Sequence, residues 1–143
     1  MDVPTTEKFI DAGADFIISP IMKLEMAKVC HENNIPWIPG CATLTEIVTA
    51  KDNGAEIIKL FPASVLGPVF VSSVMPVVPG LQLMITGGVE PTEKSLSSWF
   101  KAGAACVGMG SQLFTKEILA NKDWPLLQQR VAECLSIVKG LRK

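Results

Sequence analysis

Only one histidine, His31, occurs in the 143 residues, and the four cysteines, Cys30, Cys41, Cys106 and Cys134, are widely spaced with no C-x-x-C pair. A structural zinc site draws on clustered thiolates and imidazoles, and a small disulfide scaffold draws on dense cysteines, so neither is supported. Ordinary reduced thiols and no metal are expected. A lone histidine also argues against a Ser-His-Asp triad and against a multi-histidine metal centre. With Glu32-Asn33-Asn34 beside it, His31 reads as a surface residue near a helix end.

Runs of one charge are equally lacking. The thirteen basic residues are scattered and the net charge is −1, so nothing in the pattern is built to neutralise a phosphate backbone or a lipid surface. Nucleic acid and membrane are not expected partners. No apolar stretch is long enough to span a bilayer, and the opening Met1-Asp2 with Pro4 and Glu7 lacks the basic start and apolar run of a signal peptide. The expected location is the cytoplasm.

What is present is a composition of 48% hydrophobic and 19% charged residues, which suits one compact domain over residues 1–143. Short apolar runs at Phe16–Ser19, Trp37–Gly40, Ile57–Phe61, Leu83–Thr86 and Cys106–Met109 alternate with amphipathic segments of helical period. This predicts an α/β fold of parallel strand–helix units. Thr43 and Glu46 form a capping-box pattern, Pro91 is expected in a first helical turn, and Gly13, Gly54 and Gly103 are expected to close helices. The stretches "GADFIIS", "GAEIIKL" and "GAACVGM" repeat one helix-to-strand joint, a weak echo that a common αβ-loop dipeptide also explains.

The runs end in Ser19-Pro20, Gly40-Cys41, Phe61-Pro62, Thr86-Gly87-Gly88 and Gly110-Ser111. Decoration after every strand favours a barrel, in which all such loops converge on one site, over an open doubly wound sheet, in which only the switch-point loops carry chemistry. Five strands do not close an eight-stranded barrel of roughly 200–250 residues. Two readings stand: an open five-stranded sheet, or the later part of a barrel whose first three units lie elsewhere. In the second, the Gly87-Gly88 and Gly110-Ser111 turns follow strands seven and eight, where barrels often bind phosphate. A plain tight turn is the other reading of Gly87-Gly88.

Lys59 interrupts the apolar run of "GAEIIKLFPAS". A buried ammonium loses hydration, its pKa falls, and the neutral amine fraction becomes a nucleophile toward ketones and aldehydes. The alternative is a lysine turned out to solvent or to an acidic partner.

"ADFIISP", "IPWIPGCATLTEI", "GAEIIKLFPAS", "MITGGVEP" and "CVGMGSQLF" resemble, in order and spacing, the later part of the 2-keto-3-deoxy-6-phosphogluconate (KDPG) and 4-hydroxy-2-oxoglutarate aldolases. The resemblance implies an incomplete (β/α)8 TIM barrel carrying strands four to eight, and a class I aldolase, usually trimeric, with no metal and no dissociable cofactor. It implies Lys59 as the Schiff-base nucleophile, which would cleave a phosphorylated keto acid to pyruvate and glyceraldehyde 3-phosphate. Phe61 would line the pocket, Pro20 would lie near the pyruvyl end, and Thr86, Gly87, Gly88 and Ser111 would face the phosphate. Family members also carry a general acid/base Glu and an Arg on earlier strands, for which this sequence has no counterpart. Ile21 stands where many relatives have glycine. 4-Hydroxy-2-oxoglutarate cleavage and a non-catalytic phosphate-binding fragment are the alternatives, and thiamine-phosphate chemistry on a similar barrel is disfavoured by Lys59.

Overall fold

The computed structural model describes residues 2–142. In chain order the elements are α1 (Val3–Asp11), β1 (Ile17–Ile18), α2 (Leu24–Glu32), β2 (Trp37–Ile38), β3 (Gly40–Cys41), α3 (Leu44–Asp52), β4 (Ile58–Leu60), α4 (Ala63–Val74), β5 (Leu83–Thr86), α5 (Glu93–Ala102), β6 (Cys106–Gly108), α6 (Lys116–Asn121) and α7 (Trp124–Leu141). Every strand pair is parallel, β1 with β2 and then β3, β4, β5 and β6 in sequence order. Each expected strand is present. The run expected as one strand at Trp37–Gly40 is two, because Pro39 between them has no N–H to donate. The carbonyls on either side still connect the ladder: Ser19 N–H donates to Ile38 at 3.2 Å and Lys59 N–H to Pro39 at 2.9 Å.

Helix boundaries follow local chemistry. Thr43 accepts from the Glu46 amide while the Glu46 carboxylate takes the Thr43 amide, so the expected capping box opens α3. Pro91 lies outside the first helical turn, contrary to expectation: Thr92 caps α5 through the Ser95 amide, and the helix starts at Glu93. A side-chain oxygen that satisfies an orphan N–H outweighs the preference of proline for that turn. Gly103 is the left-handed cap of α5, and Gly13 and Gly54 also have positive φ, each one residue past its helix cap. α4 is broken by Gly67, at φ 73°, ahead of Pro68. Among the described residues no helix is long and apolar enough to cross a membrane.

Strand alternation sorts the side chains onto two unequal faces. Ile58 pairs with Leu83 and Leu60 with Ile85, and all four are buried beneath the helices. The opposite face carries Ile18, Ile38, Lys59, Met84 and Thr86, which are half-buried or exposed. This departs from the two-sided cover typical of parallel sheets. Phe9, Phe16 and Ile18 are exposed at the β1 edge, around an apolar groove of about 160 Å³.

Two predictions arise from this packing. Burying one such Phe or Ile is worth about 1.5–3 kcal/mol, so the chain is expected to associate through the β1 edge and the open sheet face. Light scattering should give a mass above one chain, reduced by Ile18→Lys; a monodisperse monomer contradicts the expectation. Glycine packing gives the second. A Cβ on Gly40 would fall 2.2 Å from the Pro20 carbonyl, and one on Gly88, at φ +74°, 2.7 Å from Ser64 Cβ. Gly40→Ala and Gly88→Ala should each lower stability in chemical denaturation by about 1–3 kcal/mol. Gly110→Ala, which meets nothing within 4 Å, should be close to neutral.

Candidate active site

Lys59 is the middle residue of β4, between two buried residues that are 1% and 0% exposed. Ile58 and Leu60 anchor the strand to the helix layer, and alternation turns the lysine to the opposite face. There it is half-buried, and its Nζ lies 4.9 Å from the centre of the Phe61 ring. Among the described residues no salt bridge reaches it. Loss of hydration alone lowers its pKa from the usual 10.5. Lys59 shares features of both readings: alternation turns it to the open sheet face, and there it is half-buried.

Phe61 joins the halves of the site. On one side lies a groove of about 300 Å³ lined by Pro20, Ile21, Met22, Gly40, Ala42, Glu46, Phe61 and Pro62. Gly40 pairs directly with Lys59 in the ladder, and its missing side chain admits the Pro20–Ile21 peptide over the strand. Ser19 Oγ donates to the Ile21 carbonyl at 2.6 Å and fixes that turn. The Glu46 carboxylate accepts from the Ala42 amide, the Thr43 amide and the Thr43 hydroxyl, each at 2.9 Å. The Ala42 amide above all holds its pKa below the usual carboxylate value. Burial, aided by the Glu46 charge, pushes the neighbouring Cys41 thiol up to about 12, so this cysteine is not a nucleophile at neutral pH.

On the other side is the turn after β5. Gly87 and Gly88 have φ of 93° and 74°, and a Cβ on Gly87 would lie 3.8 Å from the Phe61 ring and 3.5 Å from the Ala63 nitrogen. The two glycines thus let this turn seat on the cis Phe61–Pro62 turn and the start of α4. Thr86 Oγ1 is buried and has no hydrogen-bond partner among the described residues. It sits 3.0 Å from where a Cβ on Gly108 would be, so glycine on β6 makes its space. Ser111 is exposed on the turn that follows β6.

Of the residues singled out from sequence, the structure brings together Lys59, Phe61, Pro20 and Gly87 through Phe61, with Gly88 and Thr86 beside them and Ser111 on the same strand end. Glu56 is exposed and lines a separate pocket with His31 and Asn34 at the opposite end of β4. Glu90 is exposed beyond the glycine turn, its amide bonded to Ser95 Oγ. Neither accompanies the lysine. His31 is exposed in the last turn of α2, as expected. No group of three His, Cys, Asp or Glu that could hold a metal ion occurs among the described residues. Sequence reasoning named Gly40 only as a strand-end residue, and did not single out Gly108, which like Gly40 serves by lacking a side chain, or Met22 and Glu46 as groove residues. The available signal was glycine at a strand end facing a functional neighbour.

The chain is similar to several known proteins. The 2-dehydro-3-deoxy-6-phosphogalactonate aldolase of Escherichia coli K12 is 35% identical over 103 residues, covering 71% of this chain and 49% of that protein. A structure described as native KDPGal aligns at 27% identity and a TM-score of 0.88, covering 99% of this chain and 66% of that one. KDPG aldolase from Legionella pneumophila, solved with pyruvate captured as a covalent carbinolamine intermediate, aligns at 27% identity and a TM-score of 0.81, covering 94% and 63%. The chain spans about half the length of the curated relatives it matches. A family model for KDPG and KHG aldolase matches residues 2–130, and with Lys59 at the centre of its parallel strands this chain belongs to that aldolase family.

Proposed function

We propose that the chain is one domain carrying the Schiff-base half of a class I aldolase, with Lys59 as nucleophile. The observation that carries this reading is a desolvated lysine at the middle of a parallel strand, with no salt bridge to hold its charge among the described residues. The parallel strands in sequence order and the partial cover of longer relatives support its being strands four to eight of a (β/α)8 barrel.

In the proposed reaction the Lys59 amine adds to the keto carbon of the substrate to give a carbinolamine. Loss of water then leaves a protonated imine. The hydroxyl beyond the breaking carbon–carbon bond gives its proton to water as that cation accepts the bond's electron pair and the aldehyde departs, and the resulting enamine takes a proton from water before hydrolysis releases pyruvate and frees the lysine. The capture of pyruvate as a carbinolamine by the Legionella relative supports the first step. Phe61 packs against the amine. Pro20 serves the pyruvyl end, while Thr86, Gly87, Gly88 and Ser111 serve a phosphate at the other, where two positive-φ glycines admit an anion close to the backbone.

KDPG is the proposed substrate, cleaved to pyruvate and glyceraldehyde 3-phosphate without metal or cofactor, in the cytoplasm and as a homo-oligomer, a trimer by family likeness. The family name covers 4-hydroxy-2-oxoglutarate as well, and the E. coli relative acts on the galactonate isomer. A non-catalytic phosphate-binding role is the second reading, favoured by one observation: among the described residues no carboxylate forms an ion pair with Lys59, and the groove's Glu46 is already held by Ala42 and Thr43.

Incubation with pyruvate and borohydride, followed by peptide mass mapping, tests the nucleophile. Labelling is expected at Lys59 and is abolished by Lys59→Arg. Aldol cleavage by this chain alone should be slower than in relatives by about 10²–10⁴-fold, the usual contribution of a positioned acid/base. Labelling at another lysine, or none in folded protein, refutes the assignment. Family-like turnover would show instead that another carboxylate here, Glu46 of the adjoining groove or else Glu56 or Glu90, moves the protons.

A further inference from the structure

We propose that the cleft between the N-terminal ends of β2 and β4 binds a small flat heterocycle with an amino group beside a ring nitrogen, the edge that an aminopurine or aminopyrimidine base presents. The cleft lies at the other end of the strands from the Pro20 groove and the Thr86–Gly88 turn, and it shares no residue with the Lys59 site.

Shape is the first support. The cleft holds about 250 Å³, and Ile35, Pro36, Trp37, Ile38 and Ile57 give it apolar walls that suit a flat ring. Gly54 narrows the rim: a Cβ there would lie 2.8 Å from His31 Cε1, so glycine lets the chain after α3 lie against the imidazole. The strand edges are the second support. In a parallel ladder the N–H and C=O of one residue face the same neighbouring strand. Lys59 faces β3 in this way, and its N–H donates to the Pro39 carbonyl. Ile57, two residues earlier, faces the same side. Its carbonyl meets Pro39, which has no N–H to give. β2 pairs with β1 alone, and among the described residues no backbone hydrogen bond joins Ile57 to Trp37. One donor and one acceptor of the Ile57 main chain thus stand side by side on the cleft without a strand partner. A ring nitrogen next to an amino group is the complementary pair: the nitrogen accepts the Ile57 N–H, and the amino group donates to the Ile57 carbonyl.

The third support is an orphan donor. Trp37 is 2% exposed and walls the cleft, and its Nε1–H has no acceptor among the described residues. Buried polar groups are ordinarily satisfied, and a ring with several nitrogens, seated against Trp37, brings an acceptor to that wall. Charge is the fourth support. Glu56 is the one carboxylate on the rim, and no Lys or Arg lines the cleft. That carboxylate takes the second proton of an amino group and repels an oxo group or a phosphate. A free base or a nucleoside therefore fits where a nucleotide gains nothing from its phosphate.

The test compares adenine with purine, which lacks the amino group, with hypoxanthine, which carries an oxo group in its place, and with AMP. Binding is followed by the ¹H–¹⁵N resonances of the three tryptophan indoles. That of Trp37 is the one lost in Trp37→Phe or, should that variant not fold, the one that survives both Trp99→Phe and Trp124→Phe. Adenine should shift the Trp37 resonance saturably and leave those of Trp99 and Trp124 in place. Purine and hypoxanthine should each bind about tenfold more weakly, the usual size of one charge-assisted hydrogen bond, and AMP no more tightly than adenine. Glu56→Ala, a change at an exposed position, should weaken adenine about tenfold and leave purine unchanged. The absence of a saturable shift at Trp37, equal affinity for adenine, purine and hypoxanthine, or an adenine affinity indifferent to Glu56→Ala overturns the site. Tighter binding of AMP than of adenine overturns the ligand class.

Discussion

Burial of Ile58 and Leu60 under the helices is the constraint on which the site depends. Because successive residues of a strand face opposite ways, anchoring these two leaves Lys59 only one direction, and that direction is the half-covered sheet face. Turning the amine back toward the helices would place an ammonium in a dry core, at a cost of several kcal/mol. The apolar neighbours thus aim the lysine as well as desolvating it. Its hydration is reduced, and among the described residues no ion pair restores the charge, which is the condition for a reactive amine.

Around that strand, small residues decide what comes close. Gly40 lets the Pro20–Ile21 peptide cross next to the lysine, Gly87 and Gly88 let the β5 turn seat on Phe61 and Ser64, and Gly108 leaves room for the Thr86 hydroxyl. Two of these contacts, those of Gly87 and Gly88, fall on the Phe61–Ser64 segment that follows Lys59. The site is accordingly built from backbone approach more than from side-chain networks, and each approach is lost when a methyl group occupies it.

The strand positions and the lysine were legible in the sequence because each is a local signal: an apolar run of strand length, a turn residue after it, and one charge where the run should be continuous. Thr43 with Glu46 was legible for the same reason. Pro91 was misplaced because two local preferences compete there, and the hydroxyl cap of Thr92 outweighs the fixed φ of proline. The interruption at Pro39 separates hydrogen-bonding partners on two sides of one run, which a one-dimensional pattern does not encode. Gly40, Met22 and Glu46 came together only in three dimensions, since the groove joins the ends of three different strands. The one-sided cover of the sheet was also hidden: Ile18, Ile38 and Met84 are as apolar as the buried Ile58, Leu83 and Ile85, and composition does not distinguish a covered face from an open one.

The central claim is that burial alone lowers the Lys59 pKa. The folded chain then binds fewer protons at this site than the unfolded chain between the lowered value and 10.5, so the site costs stability below that window and the cost is relieved as pH rises through it. An NMR titration of ε-¹³C-labelled lysines measures this directly. The account predicts one resonance that titrates below the others and disappears in Lys59→Arg, with its midpoint unmoved by added salt because no ion pair sets it. A Lys59 resonance that titrates together with the exposed lysines would contradict it.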